Sequence, residues 1–327
     1  MPHDSHTHTA SGGPGRLSPA DARKITGAAT TLSVGIALTL VTAKLIAWWF
    51  SGSIALLASL ADSGLDLAAS LTTFFAVRYA ASPADREHRF GHGKAEAFAS
   101  FLQALFITLS AAWLLYEAGQ RMIDPEPIQH GGWALGVMGL SMVLTTLLIW
   151  AQSRAIKKTG SVAVTGDRAH YVADLAANLA VIAGITLTAF FAVGRADPAI
   201  AIVVALWLFW SAWGVARGAL DHLLDRELPD EERAKIKAIA MQDPKMLDVH
   251  QLRTRAAGPL VHIQFHADLN PDLTLDAAHQ ILVACERRLM AEYPAADILI
   301  HPDPHGRAEP HGSDFFRAES DPADESA

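Results

Sequence analysis

SIALLASLADSGLDLAASLTTFFAV, residues Ser53–Val77, holds only two charged side chains, Asp62 and Asp66. An apolar stretch of about 20 residues is what a helix needs to cross roughly 30 Å of hydrocarbon at about 1.5 Å per residue. The same character recurs outward in both directions. Asp, Glu, Lys and Arg are absent from Ile25–Ala43, Leu45–Ala61, Leu67–Val77, Ala97–Tyr116, Gly131–Ser153, Leu175–Gly194 and Pro198–Ala216. Only 18% of the 327 residues are charged, against 51% hydrophobic, where soluble chains carry roughly a quarter charged residues. After Arg226 charges return every few residues. This distribution excludes a single soluble domain and a nucleic-acid binder with a basic face. It also excludes a secreted disulfide scaffold, because Cys285 has no partner. The net charge of −8 is an average dominated by acids in the C-terminal third and tail, and says little about partners.

Hydropathy and breakers predict six helices, near Ile25–Phe50, Ser53–Tyr79, Lys94–Met122, Gly131–Lys157, Ser161–Val193 and Asp197–Leu223. Ser51-Gly52-Ser53, Asp124-Pro125-Glu126-Pro127 and Arg195-Ala196-Asp197-Pro198 separate them. The expected organisation is a disordered histidine-containing cytoplasmic arm over 1–23 and a six-helix transmembrane domain over 24–226. A cytoplasmic domain over 227–304 and a disordered acidic tail over 305–327 follow. Six spans place both termini on one side of the membrane. Arg16, Arg23 and Lys24, then Arg78, Arg86, Arg89 and Lys94, then Arg154, Lys157, Lys158 and Arg168 mark that side as cytoplasmic. The opposite connections offer only Arg121 and Arg195. Beyond the membrane, an amphipathic helix from Leu228 to about Met241 precedes strands near Leu247–Arg255 and Leu260–Asp268. A helix near Thr274–Tyr293 and a strand near Asp297–His301 complete a small α+β unit of order αββαβ, with helices on one side of the sheet. Alternation puts Val261, Ile263 and Phe265 on one face and His262, Gln264 and His266 on the other.

The intramembrane ionisable residues carry the chemistry. Asp62 and Asp66 stand four apart on the second span, and His170 and Asp174 repeat that spacing on the fifth, so each pair shares a helix face. A charged side chain at bilayer depth costs at least about 2.5–3.5 kcal/mol, and such residues normally mark ion paths. A single buried Asp reads as a packing hydrogen bonder; two pairs on two spans read as a site. Three carboxylates and one imidazole suit a tetrahedral divalent cation such as zinc. Asn178 reads as an interhelical hydrogen bonder, and Lys44 as a side chain snorkelling to the outer interface. On the cytoplasmic strands His266 and His301 both leave the helix-covered face and converge on the open one.

Six stretches stand out along the chain: Ser59-Leu60-Ala61-Asp62-Ser63-Gly64-Leu65-Asp66, Pro83-Ala84-Asp85 with Phe90-Gly91-His92-Gly93-Lys94-Ala95-Glu96, and His170-Tyr171-Val172-Ala173-Asp174, then Leu224-Asp225-Arg226-Glu227-Leu228-Pro229, Leu252-Arg253-Thr254-Arg255 and Ile300-His301-Pro302-Asp303-Pro304. In this order they resemble the cation diffusion facilitator family, and within it the bacterial zinc and ferrous-iron efflux branch. The resemblance implies a homodimeric proton antiporter with six spans per protomer and a ferredoxin-like cytoplasmic domain. Carried over by motif, Asp62, Asp66, His170 and Asp174 match its transport site. Asp85, His88 and His92 resemble its loop metal site, which on their own would read as solvated side chains. His250, His266, His279, His301 and Asp303 match its cytoplasmic binuclear site. Gln251 stands where a close relative has Asp. Lys94 and Asp225 match a charge pair that interlocks the protomers. An Asp at position 62, where many zinc-dedicated relatives have His, matches the branch that handles zinc, cadmium and ferrous iron. His262, His305 and the N-terminal His3, His6 and His8 receive no assigned role from the likeness.

The expectation is therefore a non-enzymatic exporter of zinc, or of ferrous iron or cadmium, from the cytosol across the inner membrane in exchange for protons. The metal is substrate and regulatory ligand, with no prosthetic group and no nucleic-acid partner; the lipid bilayer and a second copy are the other partners. No residue set suggests covalent catalysis, and there is no phosphate loop to imply ATP use. The alternatives are a membrane-anchored metal sensor without net transport, a passive channel, and a membrane metalloenzyme. A complete four-ligand site holds metal too tightly for fast conduction, and no separate general base is evident.

Overall fold

The computed structural model describes residues 12–52, 54–123, 132–191 and 196–307. The N-terminal histidines, the Asp124–Pro127 separator, Arg195 and the acidic tail from 308 onward lie outside the described residues. The chain divides into two compact units, one holding the long helices and one the residues from Asp225 onward, apart from Ala257–Pro259.

Six long helices make the first unit: α1 (Pro19–Ser51), α2 (Ile54–Ala80), α3 (Lys94–Ile123), α4 (Gly132–Thr159), α5 (Val162–Phe191) and α6 (Ala196–Leu223). α1 starts six residues before the helix that hydropathy predicts. The cause is local: Ser18 caps the helix by accepting the Asp21 N–H at 3.1 Å, and Pro19 occupies the first turn. It ends where expected, at Gly52, whose φ of 62° is the left-handed conformation that closes helices at low cost.

Among the described residues, five segments are long and apolar enough to cross a membrane, in α1, α2, α3, α4 and α6. α5 is equally long: Asp167, Arg168 and Asp174 lie in its first half, and no Asp, Glu, Lys or Arg follows in its second. Its packing accounts for that composition, because α5 touches every other long helix of the unit. The outer helices show the complementary pattern, with Leu109, Trp113, Trp150, Val203, Trp210 and Trp213 all exposed. Large apolar side chains on an outer surface fit hydrocarbon rather than water. α3 and α5 approach closely at Gly166, where a Cβ would meet Ser100 Oγ at 2.8 Å and Ser100 Cα at 3.0 Å. Small residues at such crossings let helix backbones meet in a membrane.

The second unit contains α7 (Asp230–Ala240), β1 (Met246–Ala257), β2 (Leu260–Leu269), α8 (Leu275–Glu292) and β3 (Ala296–Pro304). The sheet order is β1-β2-β3, with β2 and β3 parallel. Ile236 and Ala240 of α7, Ile281, Leu282, Cys285 and Leu289 of α8, and Val261, Ile263, Phe265 and Ala267 of β2 form one core. Both helices therefore cover the odd-numbered face of β2, and the expected α+β arrangement is the one observed. β1 breaks simple alternation. Val249 is buried, yet Leu252 and Ala256 are the next residues on the core. Gln251 between them has φ 50°, a bulge conformation that switches the strand's parity just after His250. Cys285 is fully buried, and burial pushes its thiol up, away from the thiolate a metal would need.

The tight α3–α5 crossing predicts that Gly166→Ala destabilises the detergent-solubilised protein by about 1–3 kcal/mol through overpacking. Gly119→Ala, whose Cβ meets nothing within 4 Å, is the control. Equal thermal unfolding midpoints for the two variants would contradict the crossing.

Candidate metal centres

Among the described residues, three groups of titratable side chains gather with ligand atoms within 4.8 Å of one another. The first lies among the long helices. Asp66 Oδ1 of α2 is 3.2 Å from His170 Nε2 of α5, and Asp174 Oδ2, one turn further along α5, is 3.7 Å from the same nitrogen. His170 is buried, while Asp66 and Asp174 are partly open. The i, i+4 spacing read from sequence is what delivers His170 and Asp174 to one point. Asp62 is not part of this group: it lies one turn earlier on α2 and is exposed. Lys44 does not snorkel outward. It is buried between α1 and α2, where its ammonium donates to Ser63 Oγ at 2.5 Å and Ser59 O at 3.1 Å. Two good acceptors within reach outweigh the pull of an interface two turns away.

The second group is in the polar connection between α2 and α3. Asp85 Oδ2 is 3.2 Å from His92 Nε2, and Oδ1 is 3.3 Å from His88 Nδ1. The two imidazole rings stand 4.7 Å apart. Asp85 Oδ1 also accepts the N–H groups of His88 and Glu87 at 2.6 and 2.9 Å. The His88 N–H, followed by that of Glu87, holds this carboxyl below its ordinary range, although partial desolvation opposes them. His92 is buried against Tyr79, with Nδ1 3.4 Å from Ser82 O. A backbone acceptor at Nδ1 leaves Nε2 as the ligand atom.

The third group is on the open face of the sheet, and strand register builds it. The parallel β2–β3 ladder sets His266 opposite His301 and Asp268 opposite Asp303. Asp303, itself buried, is the hub: Oδ2 is 2.9 Å from His266 Nδ1 and 3.5 Å from His250 Nε2, and Oδ1 is 3.2 Å from His301 Nε2. Within the group, His250, His266 and Asp303 offer ligand atoms that all lie within 4.8 Å of one another. Burial pulls His266 below its ordinary value despite the Asp303 hydrogen bond, which favours the neutral, ligating imidazole. His279 stands exposed on α8, outside the group.

Sequence reading missed Asp268. It contacts His250 at 3.2 Å and His305 at 3.0 Å, so it ties a residue beyond β3 to the cluster. The parity that places His266 on the open face also places Asp268 there. His262 is accounted for separately: its Nδ1 is 3.1 Å from Asp297. With Asp225, Glu227, Arg253, Thr254, Arg255 and Gln264 it lines a cavity of about 280 Å³. Of the expected interlock pair, Lys94 donates to Leu223 O at 3.1 Å, and Asp225 accepts from Arg255 Nη1 at 3.1 Å.

The sequence has counterparts among known proteins. Residues 30–224 match the cation efflux transmembrane domain, and residues 228–305 match the cytoplasmic domain of cation efflux proteins. The chain belongs to the cation efflux family, whose members are membrane transporters rather than enzymes. It is 42% identical to the cation-efflux pump FieF of Shewanella oneidensis over 84% of this chain and 93% of that one. It is 40% identical to the FieF pump of Yersinia enterocolitica over 88% and 95%. A solved structure of CzrB in its zinc form is 33% identical over 26% of this chain and 99% of that one, with a TM-score of 0.25.

The hub position of Asp303 predicts that Asp303→Ala weakens zinc binding on the cytoplasmic unit about 100-fold, and Asp268→Ala about tenfold. Competition titration of the full chain carrying His92→Ala and His170→Ala reads this site without the other two groups. An Asp268→Ala protein that binds zinc like its parent would remove Asp268 from the site.

Proposed function

We propose that the chain exports a divalent cation, zinc above all, with ferrous iron or cadmium as further substrates, in exchange for protons. The observation that carries this reading is the convergence of Asp66, His170 and Asp174 on one point among the long helices. Carboxylate oxygen and imidazole nitrogen suit zinc and ferrous iron better than the hard, all-oxygen cations. Asp62, one turn away on the same helix, is the proposed fourth ligand, supplied by a small movement of α2.

Protons and metal compete for the same atoms. His170 binds metal only as the neutral imidazole, and the carboxylates only when ionised. A site that faces the cytosol loads metal and releases protons; turned outward, it takes up protons and releases metal. Asp62 and Asp66 lie on α2 and His170 and Asp174 on α5, so exposing the site to alternate sides means opening the surrounding helices first at one end and then at the other, with α5 keeping its rotation. The protein works as a homodimer in the inner membrane, with both termini and all three basic segments in the cytosol. α5 serves as the sixth span, its charges covered by the other five helices. Asp85, His88 and His92 collect metal at the cytoplasmic mouth. His250, His266, His301 and Asp303 bind regulatory zinc, with His279 joining once metal or dimerisation draws α8 in. Occupancy there biases the transport equilibrium through coupling between sites. Lys94 and Asp225 interlock the protomers.

Reconstitution into vesicles with a metal-sensitive dye and an imposed pH gradient tests the reading. Zinc should move only with a gradient, and Asp66→Ala or His170→Ala should abolish the movement. Flux that survives either substitution would sink the site. Absence of flux for zinc, cadmium and iron alike would favour a membrane-anchored sensor.

A further inference from the structure

Asp167 lies in the second turn of α5, three residues before His170 and seven before Asp174. It is fully buried, and it is not one of the three ligand-bearing residues of the metal group. Three other helices supply its hydrogen bonds. Ser33 Oγ of α1 and Gln152 Nε2 of α4 each donate to Oδ2 at 2.7 Å, and Gln103 Nε2 of α3 approaches Oδ1 at 3.3 Å. α2 joins through hydroxyls: Ser33 Oγ is 3.0 Å from Ser70 Oγ, which is 2.7 Å from Tyr171 O–H. Because Ser33 donates its proton to the carboxylate, Ser70 donates to Ser33 and Tyr171 to Ser70. The chain of donors runs one way and ends on Asp167.

A buried carboxylate is tolerated only when its lone pairs are satisfied, so rotating α5 away from these donors would strand a charge in a low-dielectric interior. At 100° per residue, Asp174 falls within about 20° of Asp167 around the helix, and His170 about 60° away. Whatever fixes Asp167 fixes both. Metal constellations need their ligands held within about 0.5 Å and 10–20°. We propose that Asp167 is a positioning residue of the membrane metal site. By accepting from α1 and α4 at 2.7 Å, with the Gln103 amide of α3 against its other oxygen, it sets the rotation of α5 and with it the places of His170 and Asp174. The proposal rests on reading Asp66, His170 and Asp174 as a cation site.

The test compares Asp167→Asn and Ser33→Ala with the parent in zinc-loaded vesicle assays. Asparagine presents an amide N–H₂ to donors that expect an acceptor, so half-saturating zinc should rise about 10–100-fold, the range for lost ligand support. The rate at saturating zinc should stay within about twofold. Ser33→Ala removes one donor and should raise half-saturation about threefold with the same split. A fall in maximal rate at unchanged half-saturation, or no change in either variant, overturns the proposal. If Asp167→Asn does not reach the membrane, Ser33→Ala decides alone.

Equilibrium zinc binding to the full chain carrying His92→Ala and His266→Ala separates this proposal from the transport reading. Weakened binding by Asp167→Asn without flux in the parent keeps the positioning role and rejects export. Flux in the parent with unchanged binding in Asp167→Asn does the reverse.

Discussion

A helix that carries Asp167, His170 and Asp174 through apolar surroundings is the constraint on which the long-helix unit depends. Each charge facing lipid would cost at least about 2.5–3.5 kcal/mol. α5 avoids that cost by touching all five of its neighbours. Its small face at Gly166 lets α3 approach, and the polar side chains of α1, α3 and α4 converge on Asp167. The apolar surface is then left to the outer helices, where tryptophans and leucines lie exposed.

The same placement gathers the candidate ligands. A metal group needs ligands from more than one element, held against rotation, and α5 meets α2 at Asp66, where the two ligand-bearing faces coincide. In the cytoplasmic unit, strand register does the equivalent work. Parallel pairing of β2 with β3 sets two histidines and two aspartates side by side, and the bulge at Gln251 keeps His250 on their face while returning Leu252 to the core. Efflux-family membership identifies a cation transporter, and the local geometries bring candidate ligands together at more than one place.

Much of this was legible in the sequence, for identifiable reasons. Long uncharged runs announce helices, and period-two alternation over Val261–Phe265 announces the buried face of β2, because burial imposes both patterns directly. Asp66, His170 and Asp174 could be found because charge is conspicuous where hydrocarbon excludes it. What escaped depends on partners distant in the chain. Lys44 reads as snorkelling because its acceptors lie on the next helix. Asp167 belongs to no motif read from the sequence, although its spacing to His170 and Asp174 places all three on one side of a helix. The parity switch at Gln251 has no signature in composition. Asp62 shows the opposite case: its spacing points to the site, yet the structure leaves it one turn away.

The central claim is that one imidazole and carboxylates from α2 and α5 hold a single tetrahedral cation. Cobalt(II) substituted for zinc reads this directly, since tetrahedral cobalt absorbs visible light far more strongly than octahedral cobalt. In the full chain carrying His92→Ala and His266→Ala, cobalt should give an intense visible band that Asp66→Ala and His170→Ala each abolish. A weak octahedral spectrum, or an intense one untouched by His170→Ala, would contradict it.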